Sequence, residues 1–431
     1  MPIVHCYHKQ QHASGTAYTH FLAVGCKSRI TVTSRPIIMP RRYSMPDHTD
    51  NPVSAYEDKV PFLEYPSTRR DDPTRKQCLI YFIPGNPGLI AYYEPFLSAL
   101  RKLLDEVEAR ADCSHAFTIY GRNLLGFDDG DHFPLFGTPT GYGDGSKTEP
   151  FSFKDIIASA CDWVRAVDVR LPRHPDGSLR HYDETILIGH SVGAYIALEI
   201  FNHHHAAYKF PEIVDDWAGL KLKAGILLFP TISHIARSSK GWKLDFIRRT
   251  PILNWLAPYI AKGLVSLWPN WALEGILRYA LRMPDHAVAA TMRFLRSHDG
   301  ILQALHMGRD EMMTITEVRW SDDLWQVQDV DQRLKQRTKF VFYYAKSDHW
   351  VDNKSRDEFI EQRMRDVENK LEFIIDQDDI PHAFCLSMLA PSSSYSNSTA
   401  TSTDGFVDHS EQVAKKVKGW VENIADLTPS A

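Results

Sequence analysis

The feature that most constrains the fold is a short apolar segment that runs through a serine motif into a helix-favouring segment. Thr185–Ile188 is β-prone, and residues 189–193 read Gly-His-Ser-Val-Gly. The residues that follow, Ala194–Glu199, favour a helix. Ser191 must therefore lie where a strand turns sharply into a helix. We expect both flanking glycines to be required, because a strained turn that exposes the serine hydroxyl leaves no room for neighbouring side chains.

This arrangement of strand, Gly-x-Ser-x-Gly and helix is typical of the nucleophile elbow of an α/β-hydrolase. The flanking strand and helix distinguish it from a chance match to the short motif. The Val192 amide would lie at the helix N-terminus and point at a negative oxygen that forms beside Ser191. Strand and helix patterns alternate along much of the chain, which predicts a mostly parallel sheet with helices on both faces.

The composition limits the classes of partner and compartment. With 431 residues, 43% of them hydrophobic, the chain can bury a sizeable core. Its 49 basic and 54 acidic residues give a net charge of −5, which offers no basis for nucleic-acid binding. The six scattered cysteines include no Cys-x-x-Cys pair and fit a reducing compartment. Without a phosphate loop, dinucleotide fingerprint or paired Cys/His set, we expect neither a cofactor nor a metal.

The N-terminal residues differ from the rest of the chain. Residues 1–46 contain basic side chains but no Asp or Glu, which superficially resembles an organelle transit peptide. Their hydrophobic periodicity is poor, and Met39 and Met45 offer later starts. We therefore expect residues 1–60 to be a disordered or wrongly assigned leader, with a targeting signal as the alternative.

A Pro/Gly loop follows the first strongly predicted strand. Cys78–Ile83 is a continuous apolar run typical of a buried strand, and residues 84–88 read Pro-Gly-Asn-Pro-Gly. An α/β-hydrolase places its second oxyanion donor in a loop at this position. Pro87 has no N–H, so the Asn86 amide is the candidate donor. An ordinary Pro/Gly turn is the alternative.

A serine hydroxyl needs a histidine to take its proton and a carboxylate to orient that histidine. In an α/β-hydrolase the acid and then the histidine follow the serine, each after a strand. Lys339–Tyr344 predicts such a strand, and Asp348 is the nearest carboxylate beyond it, with Asp352 as the alternative. Leu371–Ile375 predicts the last strand, and His382 in the next loop is the candidate base.

The regular alternation is interrupted once. We expect residues 61–230 and 337–431 to form the hydrolase core, and residues 231–336 to form a helical lid or membrane-interface insertion. Residues 391–404 are rich in Ser and Thr, which predicts a flexible surface loop.

The insertion has an unusually apolar middle. Residues 251–277 carry two charges and three prolines, and four basic residues stand just before them. A helix that spans a membrane needs about twenty uninterrupted apolar residues. Short amphipathic helices that lie in a membrane interface fit better, with three tryptophans at headgroup depth. These are Trp255, Trp268 and Trp271. A lid that packs its apolar side onto the active site and meets no lipid is the alternative.

Together these motifs resemble the lipid droplet-associated hydrolase family. The resemblance spans about Cys78 to Ile424 and rests on five groups of residues. They are residues 83–88 with Tyr92, Tyr93 and Phe96; residues 189–195; Tyr343 and Tyr344 with residues 348–350; residues 382–384; and Met307, Gly308 and residues 311–313 in the insertion.

The resemblance implies Ser191 as nucleophile, Asp348 as acid and His382 as base. It also implies residence on lipid droplets and the endoplasmic reticulum, and a role in the turnover of neutral lipids or sterol esters. We therefore expect a serine hydrolase that acts on a lipid ester at a droplet surface. Two alternatives are a droplet-organising protein that keeps the fold with little catalytic role, and a soluble esterase for small molecules.

Overall fold

The computed structural model describes most of the chain after residue 61. The described ranges are 62–132, 135–137, 149–171, 177–209, 217, 219–321, 324–325, 338–364, 371–386, 388–389 and 407–427. The expected leader, residues 1–60, and the Ser/Thr-rich segment, residues 391–404, lie outside them.

Seven strands form one sheet with the spatial order β1-β3-β2-β4-β5-β6-β7. Only β1 is antiparallel to its neighbour β3, and each of the other neighbouring pairs is parallel. The strands are β1 (Phe62–Tyr65), β2 (Lys76–Ile83), β3 (His115–Arg122), β4 (Glu184–His190), β5 (Leu222–Leu228), β6 (Lys339–Tyr344) and β7 (Leu371–Ile375). A separate antiparallel pair consists of β8 (Met388–Leu389) and β9 (Val407–Asp408). The predicted, mostly parallel sheet is confirmed.

Ten α-helices are present in the described residues, and five of them fall between β5 and β6. Three precede β5: α1 (Glu94–Glu108), α2 (Phe153–Asp168) and α3 (Val192–Lys209). The five between β5 and β6 are α4 (Gly241–Arg249), α5 (Pro251–Ser266), α6 (Asn270–Gly275), α7 (Asp285–Arg296) and α8 (Gly300–Thr314). The last two are α9 (Asn353–Met364) and α10 (His409–Ile424).

The inner strands are buried along almost their whole length, as is typical of a parallel sheet with helices on both faces. All seven residues of β4 are buried, and so are seven of the eight residues of β2. Helices α1 and α10 pack against each other, and each is amphipathic with an apolar buried face. The predicted strand at Thr185–Ile188 extends by one residue at its start and two at its end, so that it reaches His190.

The helices between β5 and β6 combine packed and exposed apolar faces. Helix α8 packs against α4, α5, α7 and the core helix α2. Many large apolar side chains from α4 to the segment after α6 are exposed instead. These are Trp242, Phe246, Ile252, Tyr259, Ile260, Leu264, Leu267, Trp268, Trp271, Tyr279 and Leu281. Among the described residues, no helix has the length and apolar composition needed to cross a membrane.

Candidate active site

Ser191 lies in a sharp turn between β4 and α3. Its backbone φ is +54°, a left-handed conformation that is rare for residues other than glycine. A Cβ at Gly189 would overlap the backbone of Gly193, and a Cβ at Gly193 would overlap the carbonyl oxygen of Ile83. The steric requirement predicted for both glycines is therefore confirmed. The turn leaves the Ser191 hydroxyl at the carboxyl end of a central parallel strand.

The loops that follow β6 and β7 bring a carboxylate and an imidazole to this serine. His382 Nδ1 is 2.6 Å from Asp348 Oδ2, and His382 Nε2 is 2.9 Å from Ser191 Oγ. An ionised carboxylate only accepts hydrogen bonds, so Nδ1–H donates to Asp348. Nε2 is then the acceptor, and the Ser191 hydroxyl donates to it. In this arrangement His382 is ready to receive the serine proton.

Asp348 is the carboxylate at the site, and the alternative residue has another role. Burial raises the pKa of Asp348, but the hydrogen bond and charge interaction with His382 and the Trp350 N–H outweigh it, so the pKa lies below its usual value. Asp352 instead accepts hydrogen bonds from the backbone N–H and hydroxyl of Ser355 at the start of α9. Asp348 is therefore ionised at neutral pH, as an orienting acid must be.

The Pro/Gly loop after β2 lies directly against the serine. A Cβ at Gly85 would be 3.1 Å from the Ser191 Cβ, so the two residues are in close contact. The Asn86–Pro87 peptide bond is cis. Val192, the other predicted oxyanion donor, is the first residue of α3. The side chain of Asn86 points to the insertion, where its Nδ2 donates to the Ala304 carbonyl at 3.1 Å and to Glu311 Oε1 at 2.9 Å.

His190 and Tyr93 join three parts of the site, and no role was predicted for either residue from the sequence. His190 Nε2–H donates to the His382 carbonyl at 2.8 Å, so its Nδ1 accepts from the Tyr93 hydroxyl at 2.7 Å. The Gly85 N–H donates to the same hydroxyl at 3.1 Å. Burial, with the nearby His382, lowers the pKa of His190 to about 3, so this imidazole is neutral. The sequence feature that could have pointed to His190 is its position at the end of a predicted buried strand.

Glu311 on α8 is a further polar residue for which no role was predicted from the sequence. The residue is 7% exposed, and burial raises the pKa of its carboxyl to about 8 despite the Asn86 hydrogen bond, which lowers it. The carboxyl is therefore mainly protonated at neutral pH. In the sequence, Glu311 was notable only because it belongs to residues 311–313, which carry part of the family resemblance.

The three tryptophans predicted to meet a membrane interface lie on or beside α5 and α6. Trp268 is 48% exposed and Trp271 is 77% exposed. Trp255 lies within α5, but its side chain is outside the described part of the structure. Two of the three positions thus present an indole ring at the surface.

Comparison with known proteins defines the family. The model of a family described as lipid-droplet associated hydrolase matches residues 76–385, which are most of the chain. The chain belongs to this family. This family member is 28% identical over 293 residues to the lipid droplet-associated hydrolase of Gallus gallus, covering 65% of this chain and 73% of that protein. The Mus musculus lipid droplet-associated hydrolase is 24% identical over 360 residues, with 82% and 87% covered.

A solved structure that aligns with this chain is the peroxisomal alpha-beta-hydrolase Lpx1 of Saccharomyces cerevisiae. It aligns with a TM-score of 0.48 and 12% sequence identity, and the alignment covers 90% of this family member and 88% of that chain. The fold assignment rests on the sheet order and the serine turn described above. This member of the lipid-droplet associated hydrolase family is an α/β-hydrolase, and the recognition made from sequence motifs is confirmed.

Proposed function

We propose that this hydrolase is a serine carboxylic ester hydrolase that acts on lipid esters, with Ser191, His382 and Asp348 as its catalytic residues. The observation that carries the proposal is the continuous chain of hydrogen bonds from Ser191 Oγ through the His382 imidazole to the Asp348 carboxylate. Because the serine donates to a neutral imidazole nitrogen, its proton has a defined acceptor. The proposal is supported by the location of the three groups in the segments that follow β4, β6 and β7.

The reaction proceeds through an acyl-enzyme. Ser191 Oγ attacks the ester carbonyl carbon while its proton passes to His382 Nε2. The tetrahedral intermediate collapses, the bond to the alcohol oxygen breaks, and His382 returns the proton to that oxygen. Water then attacks the acyl carbon with His382 as base, and the carboxylic acid leaves as Ser191 regains its proton. Asp348 stabilises the imidazolium that exists between these transfers.

The negative oxygen of each tetrahedral intermediate requires hydrogen-bond donors. We assign this role to the backbone amides of Val192 and Asn86, one at the start of α3 and the other in the loop that lies against Ser191. A helix N-terminus favours a negative oxygen through its unpaired amides and its dipole. Loss of one such donor typically reduces turnover by about a hundredfold or more.

The lipid part of the proposal rests on the surface of the insertion. Exposed apolar side chains such as Leu267, Trp268 and Trp271 lie close together in the chain. Large apolar side chains grouped at a surface indicate a site that contacts a partner or a lipid layer. Exposed Lys240 and Lys243 lie on either side of the exposed Trp242 near the start of the insertion, and they suit a phospholipid headgroup layer. Relatives carry the name lipid droplet-associated hydrolase. We therefore propose a droplet surface, and the adjoining endoplasmic reticulum membrane, as the working location.

The catalytic proposal is tested with a fluorophosphonate probe on the purified protein. Wild type is expected to be labelled at Ser191, to hydrolyse emulsified lipid esters and to be protected from the probe by them. Ser191→Ala is expected to lose both labelling and hydrolysis, whereas Ser239→Ala, which changes an exposed serine, is expected to keep both. Hydrolysis by Ser191→Ala at the wild-type rate would overturn the assignment.

The surface proposal is tested by flotation with artificial droplets that have a triacylglycerol core and a phospholipid monolayer. Trp271→Asp is expected to reduce the bound fraction severalfold, because a charge replaces an indole that would enter the interface. Leu179→Asp is the matched control, since Leu179 is also exposed but lies outside the insertion. Equal binding by both variants would show that the exposed tryptophans do not form the lipid contact. Droplet rescue in cells by Ser191→Ala would favour the organising role instead.

A further inference from the structure

The insertion is attached to the loop next to the nucleophile through one side chain. The Asn86 carboxamide donates both to the Ala304 carbonyl at 3.1 Å and to Glu311 Oε1 at 2.9 Å, and both acceptors belong to α8. Helix α8 comes close to the loop at this point: a Cβ added at Gly308 would lie 3.6 Å from Asn86 Nδ2. Asn86 is thus fixed from outside the hydrolase core.

The chemistry of Glu311 suits this contact. The residue is 7% exposed, and its hydrogen bond to Asn86 uses one carboxyl oxygen as the acceptor. The other oxygen, Oε2, has no hydrogen-bond partner among the described residues, so it can carry a proton without disturbing that contact. A neutral carboxyl at this point accepts from Asn86 and brings no negative charge towards the site.

We propose that Glu311 is a positioning residue for the reaction. In its neutral form, Glu311 holds the loop that supplies the second oxyanion donor, and it does so through Asn86. The inference rests on the function proposed above. Its physical reason is that the Asn86 backbone amide must keep its direction relative to an oxygen that becomes negative only during the reaction. The hydrogen bonds of Gly85 to Tyr93 and of the Gly88 carbonyl to the Leu124 N–H hold the two ends of the loop, and the side-chain contact of Asn86 holds the residue between them.

Ionisation of Glu311 would work against the reaction. A buried negative charge behind Asn86 would oppose the negative charge that develops on the substrate oxygen. The charged group that acts on the carboxyl is Asp310 on the same helix, which also disfavours ionisation. The facing loop contributes the neutral Asn86, and no charged group on the described helices packed against α8 acts on it. Turnover should therefore decrease as Glu311 loses its proton at alkaline pH.

The first test compares kcat and KM for hydrolysis of an emulsified ester. Glu311→Ala is expected to lower kcat by about ten- to a hundredfold with little change in KM, as misplaced catalytic groups do. Glu311→Gln keeps an acceptor for Asn86 and is expected to recover most of kcat. Arg309→Ala, an exposed position on the same helix, is expected to match wild type. Equal kcat for wild type and Glu311→Ala would overturn the inference.

The second test is the pH profile, which a purely structural role would not change. The kcat of wild type is expected to decrease as the pH rises through about 8, and that of Glu311→Gln is expected to lack this decrease. Identical alkaline limbs would overturn the requirement for a neutral carboxyl. Melting temperatures of the variants show whether any loss reflects unfolding. A wild type that neither hydrolyses esters nor reacts with fluorophosphonate would overturn the proposed function, whereas active Glu311→Ala would overturn this inference alone.

Discussion

Removal of one hydroxyl group, in Tyr93→Phe, tests the hydrogen-bond relay behind the site. That hydroxyl donates to His190 Nδ1 and accepts from the Gly85 N–H, and all three residues are buried. Phenylalanine has nearly the same shape, so little cavity forms, but one donor and one acceptor lose their partner. A buried polar group left unpaired costs about 1–3 kcal/mol. With two such groups, we expect the free energy of unfolding to decrease by about 2–6 kcal/mol.

The assay is urea unfolding at neutral pH, followed by tryptophan fluorescence. Tyr279→Phe is the control, because its side chain is 78% exposed and water replaces any partner of its hydroxyl. That variant should differ from wild type by less than about 0.5 kcal/mol. If Tyr93→Phe is no less stable than Tyr279→Phe, the relay contributes nothing to stability, and the claim that it ties the Gly85 loop to the His382 loop is refuted.

Three further predictions concern the triad, the serine turn and the buried histidine. Asp348→Asn should lower kcat by about four orders of magnitude with KM little changed, measured by ester hydrolysis, because His382 then adopts the wrong tautomer. Gly193→Ala should abolish fluorophosphonate labelling and lower the melting temperature, because its Cβ overlaps the Ile83 carbonyl. The pKa of His190 lies at about 3 in the folded protein and near 6.5 when unfolded, so the unfolded chain binds more protons between these values. Its contribution to stability is complete above pH 6.5 and decreases by up to about 1.4 kcal/mol per pH unit below it; His190→Asn should show a shallower acid dependence in urea unfolding.

The parts of the fold that depend on local patterns were predictable. Lys339–Tyr344 and Leu371–Ile375 are strands close to where they were predicted, because short apolar runs bounded by turn residues, too short for a typical helix, favour strands. The serine turn was equally predictable, because its two glycines are required by close contacts within a few residues and with the adjoining strand. The chain order of acid and histidine then limited their candidates to the loops after these strands.

The contacts that cross between distant segments were not predictable. Asn86 was selected for its backbone amide, but its side chain binds Glu311, which is 225 residues away in the chain. No local periodicity shows that a helix of the insertion lies over this loop. The neutrality of Glu311 and His190 has the same origin, because burial in the folded protein sets both pKa values. The three side chains that meet at Ser191 could be predicted from the sequence, but the side chains that hold them could not.

These cross-contacts change how the role of the insertion must be tested. Its outer helices α5 and α6 present the exposed apolar side chains, and α5 packs against α8, which holds Asn86. A deletion of the insertion would remove the proposed lipid-facing surface and the proposed support of the oxyanion loop together. Loss of hydrolysis in such a deletion could not be assigned to weaker lipid binding. Trp271→Asp changes the surface and leaves α8 intact, whereas Glu311→Ala changes the support and leaves the surface intact. If the insertion serves both purposes, the first variant should fail only on droplets, and the second should also fail on a short, water-soluble ester.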